Sequence, residues 1–531
     1  MAWLHAFPFL GVLAIAALRY ACVTDLRFNN SQYDRKPNVV IIFADDLGYG
    51  DLSCFGHPTS HTPFIDEMAN KGLVFTQFYS TSPVCSPSRA SLLTGRYQTR
   101  SGIYPDVFSP GDIGGLPHNE TTIAEFLGRH GYKSAAIGKW HLGVGVNGTY
   151  LPTNHGFDEY YGIPYSHDMC PCPVCFYPDG SCIRPCRNNE APCPLFGNTT
   201  IVEQPADLIS LTKKHIDKAT DFIKEATDAR NPFFLYYASY QTHHPQFAGQ
   251  RFTNSSIRGA FGDALAELDW SVGMILKTVK DAGIENNTYV FFTSDNGPSM
   301  TREIQGGSAG LLKCCKGTTY EGGMRVPAIA YWPGVIPPGR THELASTLDL
   351  LPTIATLLGK KPPLRLDGVD MEEILLRHGK SKRDTFFYYP VGADPRFGVF
   401  AVRYKQYKAH FWTKGSGLCG QRNPDDDCRI TALRTKHNPP LLFDLDADPA
   451  ERYNINKSPK GKRIIPFIAK LKKKFDERMK WGTSQIRRGA NNTLIPCCNP
   501  GCTPFPQCCH CERGKSSLVE MLWKYVISDD T

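Results

Sequence analysis

Four apolar runs, each ending in polar residues, constrain this chain more than any other feature. Residues 39–44 are continuously apolar and end in Asp45-Asp46. Residues 134–138 lead into Lys139-Trp140-His141, 233–237 lead toward His243, and 289–293 lead into Asp295-Asn296. A strand that is apolar on both faces belongs inside a parallel sheet covered by helices. Helical patterns lie between the runs, at 121–130, 208–226 and 262–282. The alternation predicts an α/β fold: a large mixed, mainly parallel sheet flanked by helices, binding ligands beyond the carboxyl ends of its strands. A single Asp at a strand end is often only a turn residue. Four ends that deliver acids, an amide, a lysine and histidines together predict one shared site.

A second stretch bears on the chemistry: Cys85-Ser86-Pro87-Ser88-Arg89-Ala90-Ser91-Leu92-Leu93-Thr94-Gly95-Arg96. Ser86 suits an N-cap and Pro87 the first helical position, so a helix is expected to begin there, held by Leu92 and Leu93. Cys85 would stand just before the helix N-terminus, where free N–H groups and the dipole favour an anion. Arg89 would share its face at i+4. A nucleophile and a guanidinium so arranged suit a tetrahedral oxyanion such as sulfate or phosphate. The bland alternative is a buried free cysteine on an ordinary helix. A tyrosine-phosphatase-type thiolate loop needs a longer spacing than the three residues between Cys85 and Arg89.

Asp45, Asp46, Asp295 and Asn296 offer oxygen only, which suits one hard cation, Ca²⁺ or Mg²⁺, rather than zinc. A thiolate is a poor companion for such an ion. An oxygen-bearing group in place of the Cys85 thiol would be a good one.

After about residue 375 the texture changes to shorter, partly alternating runs at 398–403, 407–412 and 441–445, then a basic amphipathic segment at 464–479. This predicts a smaller antiparallel sheet with one helix, closed by a Cys- and Pro-rich, cross-linked tail at 497–511. The expected organisation is a signal peptide at 1–22, a catalytic α/β domain at 36–375 and a C-terminal subdomain at 376–531. No internal repeat is found.

The apolar run at 6–18 is too short to span a bilayer comfortably and reads as a signal-peptide core. No later run is long enough for a transmembrane anchor, and Ser528-Asp529-Asp530-Thr531 is not an ER-retention signal. Sequons at Asn29, Asn119, Asn147, Asn198, Asn254, Asn286, Asn456 and Asn491 fit the secretory route. There are 19 cysteines. Setting aside Cys22 and Cys85 leaves an odd number, so one thiol should stay free, and the isolated Cys54 is the candidate. Cys172-x-x-Cys175 followed by Cys182-x-x-x-Cys186 is read as disulfide-stapled rather than zinc-binding. The net charge of +8 is spread out. The densest basic run, 470–474, suits a solvated helix face rather than nucleic acid.

Two motifs carry a family resemblance. The pattern C-x-P-S-R-x-x-x-L-T-G-R resembles the first signature of the formylglycine-dependent sulfatases. Gly131-Tyr132-Lys133-Ser134-Ala135-Ala136-Ile137-Gly138-Lys139-Trp140-His141 resembles the second, with His141 one place earlier than the literal pattern. The segments 162–168, 242–245 and 310–323 are also similar, within a likeness running from Pro37 to Cys511 that is strongest to the arylsulfatase A group. The insert at 170–193 is less similar.

The resemblance implies an alkaline-phosphatase-like sulfatase fold, one Ca²⁺ or Mg²⁺, and oxidation of Cys85 to formylglycine by the formylglycine-generating enzyme. The hydrated aldehyde, itself a metal ligand, would attack sulfur and pass through a sulfo-enzyme intermediate. Lys139, Arg89 and the metal would hold the sulfate oxygens, and Ser166 would hydrogen-bond them. His243, with Lys316, would protonate the leaving oxygen, and His141 would take a proton from the second hydroxyl. His244 competes with His243, because neighbours on an extended segment point opposite ways.

Aryl sulfates and galactosylceramide 3-sulfate are the implied substrates and the lysosome the implied location, with a homodimer allowed. The alternatives are a sulfatase for glycosaminoglycan or other carbohydrate sulfates, secreted or lysosomal, and an alkaline-phosphatase-like phosphatase or phosphodiesterase. An inactive sulfated-glycan-binding relative would show losses among the catalytic positions, and none is found.

Overall fold

In the computed structural model of the chain, residues 36–170, 193–301 and 306–511 are described. The signal segment, Asn29, Cys172, Cys175, Cys182, Cys186 and the last twenty residues lie outside them.

Eleven strands form the large sheet: β1 (Asn38–Ala44), β2 (Leu73–Tyr79), β3 (Lys133–Gly138), β4 (Glu159–Gly162), β5 (Leu195–Gly197), β6 (Thr200–Glu203), β7 (Phe233–Ala238), β8 (Thr288–Ser294), β9 (Arg325–Tyr331), β10 (Gly339–Thr341) and β11 (Ala345–Ser346). Their order is β10-β2-β9-β8-β1-β7-β3-β4-β5-β6, with β11 also on β2. The centre, β8-β1-β7-β3-β4, is parallel throughout. The antiparallel pairs are β2-β9, β8-β9, β4-β5 and β5-β6. The sheet is therefore mixed and mainly parallel.

Strand β1 shows why its sequence is apolar throughout. Val39, Ile41 and Phe43 enter one hydrophobic cluster with Leu92, Leu93, Leu127 and Ile354. Val40, Ile42 and Ala44 enter another, with Ile216, Ile223, Leu265 and Val272 on the helices Leu208–Asp228 and Gly259–Asp281. Both faces are covered, so no position tolerates a polar side chain until the strand ends.

Several boundaries differ from the sequence expectations. The helix expected to open at Ser86 and Pro87 runs Cys85–Thr94, with Val84 at the N-cap and no side-chain cap. Ser86 does not cap it, because its Oγ accepts the Phe108 N–H at 3.2 Å. Cys85 is thus the first residue of the helix rather than the one before it. Residues 121–130 shorten to Ile123–Gly128, where Thr122 and Glu125 form a capping box.

The second sheet is antiparallel in the order β12 (Thr385–Tyr388), β13 (Ala401–Tyr404), β14 (Tyr407–Thr413) and β15 (Thr435–Asp444). The 398–403 run pairs only from Ala401, and the 441–445 run is the end of a longer strand. The basic helix spans Pro459–Arg478 and begins earlier than its apolar pattern, because Ser458 caps Gly461 N at 2.9 Å with Pro459 at the first position. The tail is cross-linked, by Cys497–Cys509, Cys498–Cys511 and Cys502–Cys508. Cys54 is a free thiol, as expected. Among the described residues no helix is long and apolar enough to cross a membrane.

Candidate active site

The carboxyl ends of β1, β3, β7 and β8 converge on the N-terminus of the Cys85–Thr94 helix. At the ends of β1 and β8 the Asp295 N–H donates to Ala44 O at 3.2 Å, and just beyond, the Asp46 N–H donates to the Asp295 side chain, Oδ1, at 3.1 Å. At the end of β3, Gly138 has φ 108° and a Cβ there would meet Ala238 O at 2.0 Å, so only glycine permits this close approach. The chain then turns Lys139 inward, its N–H on Ala238 O at 2.8 Å. Asp46 (φ 58°) and His141 (φ 59°) are left-handed non-glycine residues, a conformation that persists where surrounding contacts enforce it.

Cys85 Sγ is the centre of the cluster. Asp45 Oδ1 lies 3.6 Å from it, Lys139 Nζ 3.5 Å and Lys316 Nζ 3.6 Å. Burial pushes the thiol far up, past the opposing pull of Lys139 and Lys316, so it is neutral and a weak nucleophile.

Lys139 also bonds Asp45 Oδ2 at 2.7 Å and Ser166 Oγ at 3.0 Å. Lys316 pairs with Asp46 Oδ1 at 2.5 Å. Arg89 is fully buried and pairs with Asp295 at 2.8 Å and Asp45 at 3.2 Å, so its guanidinium is turned on the carboxylates. Burial alone would raise Asp45, but Lys139, Arg89 and Lys316 bring it down to about 2. Burial raises Asp46 to about 6 against the pull of Lys316, with Asp45 and Asp295 adding to the rise. Asp295 is raised by burial and by Asp45.

The donor set fits a hard cation. Asp46 Oδ2 and Asn296 Oδ1 are buried without a hydrogen-bond partner, which is costly unless something positive meets them. Asn296 Nδ2 donates to Asp46 Oδ1 at 2.7 Å, so the amide's free oxygen is set by that bond. Side-chain ligand atoms of Asp45, Asp46, Cys85 and His243 lie within 4.8 Å of one another.

Of the two adjacent histidines, His243 reaches the cluster, its Nε2 3.6 Å from Asp46 Oδ2, while His244 is half-buried. Burial, Lys316 and Lys139 hold His243 well below its ordinary value. His141 Nε2 donates to Phe108 O at 2.9 Å. The acceptor is a carbonyl, so the proton sits on Nε2 and the buried, unpartnered Nδ1 keeps its lone pair.

Two features are not evident from the sequence. Asp168 has no role there beyond membership of the 162–168 segment, yet in the fold burial, which would raise its carboxyl, is overcome by a bond from Ser166 and by nearby Lys139, and it is held low. The other is the stapling of the lysine loop: Cys314–Cys428 and Cys315–Cys419 tie the residues just before Lys316 to the C-terminal part. The spacing of these four cysteines does not specify their pairing.

Comparison with known proteins matches the same regions. Residues 37–360 match the family model "Sulfatase", and residues 381–511 match "C-terminal region of aryl-sulfatase". Arylsulfatase A of Bos taurus is 50% identical over 483 residues, covering 90% of this chain and 95% of that protein. N-acetylgalactosamine-6-sulfatase of Canis lupus familiaris is 37% identical over 504 residues, covering 89% and 92%. Among solved structures, the PsFucS1 sulfatase from Pseudoalteromonas sp. superposes with a TM-score of 0.72 at 27% identity, covering 90% of this chain and 97% of that one.

Proposed function

Since this chain belongs to the sulfatase family and is a sulfuric ester hydrolase of the arylsulfatase type, we propose that it cleaves aryl sulfates and galactosylceramide 3-sulfate with a formylglycine at position 85. The observation that carries the reading is the setting of Cys85 Sγ, a neutral thiol between Asp45, Lys139 and Lys316. As a thiol it has neither the charge nor the oxygen this site calls for. Converted to formylglycine and hydrated, residue 85 would offer a hydroxyl as nucleophile in place of water.

Asp45, Asp46, Asp295 and Asn296, with the residue 85 oxygen, would hold one Ca²⁺ or Mg²⁺, which supplies charge neutralisation and acidifies the attacking hydroxyl. Lys139 and Lys316 flank the reacting position and bind the sulfate oxygens where negative charge develops. Ser166 stands on Lys139 and adds a hydrogen bond. Arg89 pairs with Asp45 and Asp295 and holds the two carboxylates in register.

His243 hands its proton to the leaving oxygen. The free site holds this ring neutral, and the incoming sulfate anion offsets Lys139 and Lys316, the cations that hold it down. His141, with Nδ1 free, accepts the proton from the second hydroxyl as sulfate departs. The reading includes entry through the secretory pathway, modification there by the formylglycine-generating enzyme, and delivery to lysosomes, where acid favours protonated His243.

The test is peptide mass spectrometry of the protein secreted from animal cells, paired with sulfate release. The peptide carrying residue 85 should hold an aldehyde that reacts with hydrazides. Cys85→Ser should stay folded and lose nearly all activity. Full activity with residue 85 alkylated quantitatively as a thiol would overturn the mechanism.

A further inference from the structure

Glu267 lies on the Gly259–Asp281 helix, 2% exposed, and plays no part in the chemistry above. Among the described residues no Lys, Arg or His forms an ion pair with it. A buried carboxylate without a counter-cation is expensive to keep: burial raises Glu267 to about 7, and three hydrogen bonds pull against that rise. Its Oε2 accepts the Gln241 amide at 2.6 Å and the Thr212 hydroxyl at 3.0 Å, and its Oε1 accepts the Gly249 N–H at 3.0 Å.

Gln241 and Gly249 are the two ends of the loop that carries His243. The same Gln241 amide also donates to Phe247 O at 3.0 Å, inside that loop. One carboxylate therefore buckles both ends together and ties them to the Leu208–Asp228 helix through Thr212. The backbone of the pinned residue reaches the reacting cluster directly. Gln241 O accepts the Asp45 N–H at 3.0 Å, and Thr242 N–H donates to Asp45 O at 2.8 Å. Moving Gln241 moves Asp45 on one side and His243 on the other.

We infer that Glu267 is a positioning residue for the leaving-group step, a clasp that sets His243 against Asp45 without touching substrate. This rests on reading His243 as the acid that protonates the leaving oxygen. A glutamine in its place cannot accept all three donors, because its NH₂ would face an N–H or the Gln241 amide. The loop would stay buried while His243 lost its aim.

The readout is dependence on the leaving group. An acid matters most when the departing oxygen is basic, so 4-nitrophenyl sulfate and unsubstituted phenyl sulfate are compared for wild type, Glu267→Gln, His243→Ala and the double variant. Glu267→Gln should lose about tenfold or more on phenyl sulfate and less than about threefold on 4-nitrophenyl sulfate, with the fold retained at the assay temperature. The same discrimination should appear, larger, in His243→Ala, and the double variant should be no worse than His243→Ala alone.

An equal fall on both esters, or losses that multiply in the double variant, would overturn the inference and leave the His243 reading standing. If His243→Ala itself falls equally on both esters, the acid assignment is what fails. Should Glu267→Gln not fold, Thr212→Val removes one donor from the clasp, and the same ratio of the two esters decides.

Discussion

The Arg89 guanidinium lies 2.8 Å from the Asp295 carboxylate, and neither side chain is reached by solvent. Arg89 also approaches Asp45 at 3.2 Å, so one cation holds two of the acids proposed to bind metal. Arg89→Ala strands the Asp295 carboxylate in the interior and leaves Asp45 to Lys139, a loss of roughly 3–5 kcal/mol where a buried pair is broken. The expected outcome is a clear drop in melting temperature with activity reduced at least about a hundredfold. Arg89→Lys keeps the charge without the fork and should fall between. A wild-type melting curve for Arg89→Ala would contradict this account of the pair.

The oxygen-only set predicts the metal. Elemental analysis of purified protein should find Ca²⁺ or Mg²⁺ at one per chain and no zinc. Asp295→Ala should remove metal and activity together, because Asp295 also receives the Asp46 N–H and so orders a second ligand. Stoichiometric zinc that survives mild chelation would point instead to the phosphatase class.

Much of this site is legible in the order of the amino acids, for a physical reason. Strand β1 must be apolar to its last residue, so the break at Asp45-Asp46 is sharp, while β8 turns polar through Thr293-Ser294 before Asp295-Asn296. Residues positioned by side-chain partners far along the chain carry no such mark. Ser86 has the composition of an N-cap, and only the Phe108 N–H facing it explains why it is not one. Glu267 reads as one more acid on an amphipathic helix, since nothing local distinguishes a buried carboxylate from a solvated one. The start of the Pro459–Arg478 helix is encoded in Ser458-Pro459, a turn ahead of the apolar periodicity that suggests a later beginning.

Asp269 offers a pH test away from the site. It accepts the N–H groups of Ile65 at 2.8 Å and Phe64 at 3.3 Å, capping from outside the Pro63–Lys71 helix whose own Thr62 makes no side-chain cap. Burial pushes its carboxyl up to about 7 even so, with Asp66 adding to the rise. The folded protein then holds this proton more tightly than the unfolded chain. The stability it contributes is full below about pH 4 and is lost as pH rises through about 7. Asp269→Asn keeps a cap oxygen and removes the titration. The melting temperature of wild type minus that of Asp269→Asn should fall between about pH 5 and pH 7.5. A difference independent of pH would refute the assignment.

The last prediction concerns the alcohol that sulfate leaves. The residues around position 85 are proposed to grip the sulfate end, which leaves what lies beyond it to other parts of the chain. Similarity separates the candidates: 50% identity to an arylsulfatase A against 37% to an N-acetylgalactosamine-6-sulfatase, at nearly equal coverage. Both relatives are matched over about nine-tenths of the chain, so the two identities compare like with like. Nitrocatechol sulfate, galactosylceramide 3-sulfate with detergent, and 6-sulfated amino sugars should be compared between about pH 4 and pH 8, since an acid that must be protonated favours the lower end. We expect turnover of the first two with an acidic optimum, and little of the third. The acidic optimum should move in His243 variants and stay in Asp269→Asn, because only His243 is proposed to donate the proton. Activity confined to the amino sugars would remove the galactolipid reading while leaving sulfate-ester hydrolysis intact.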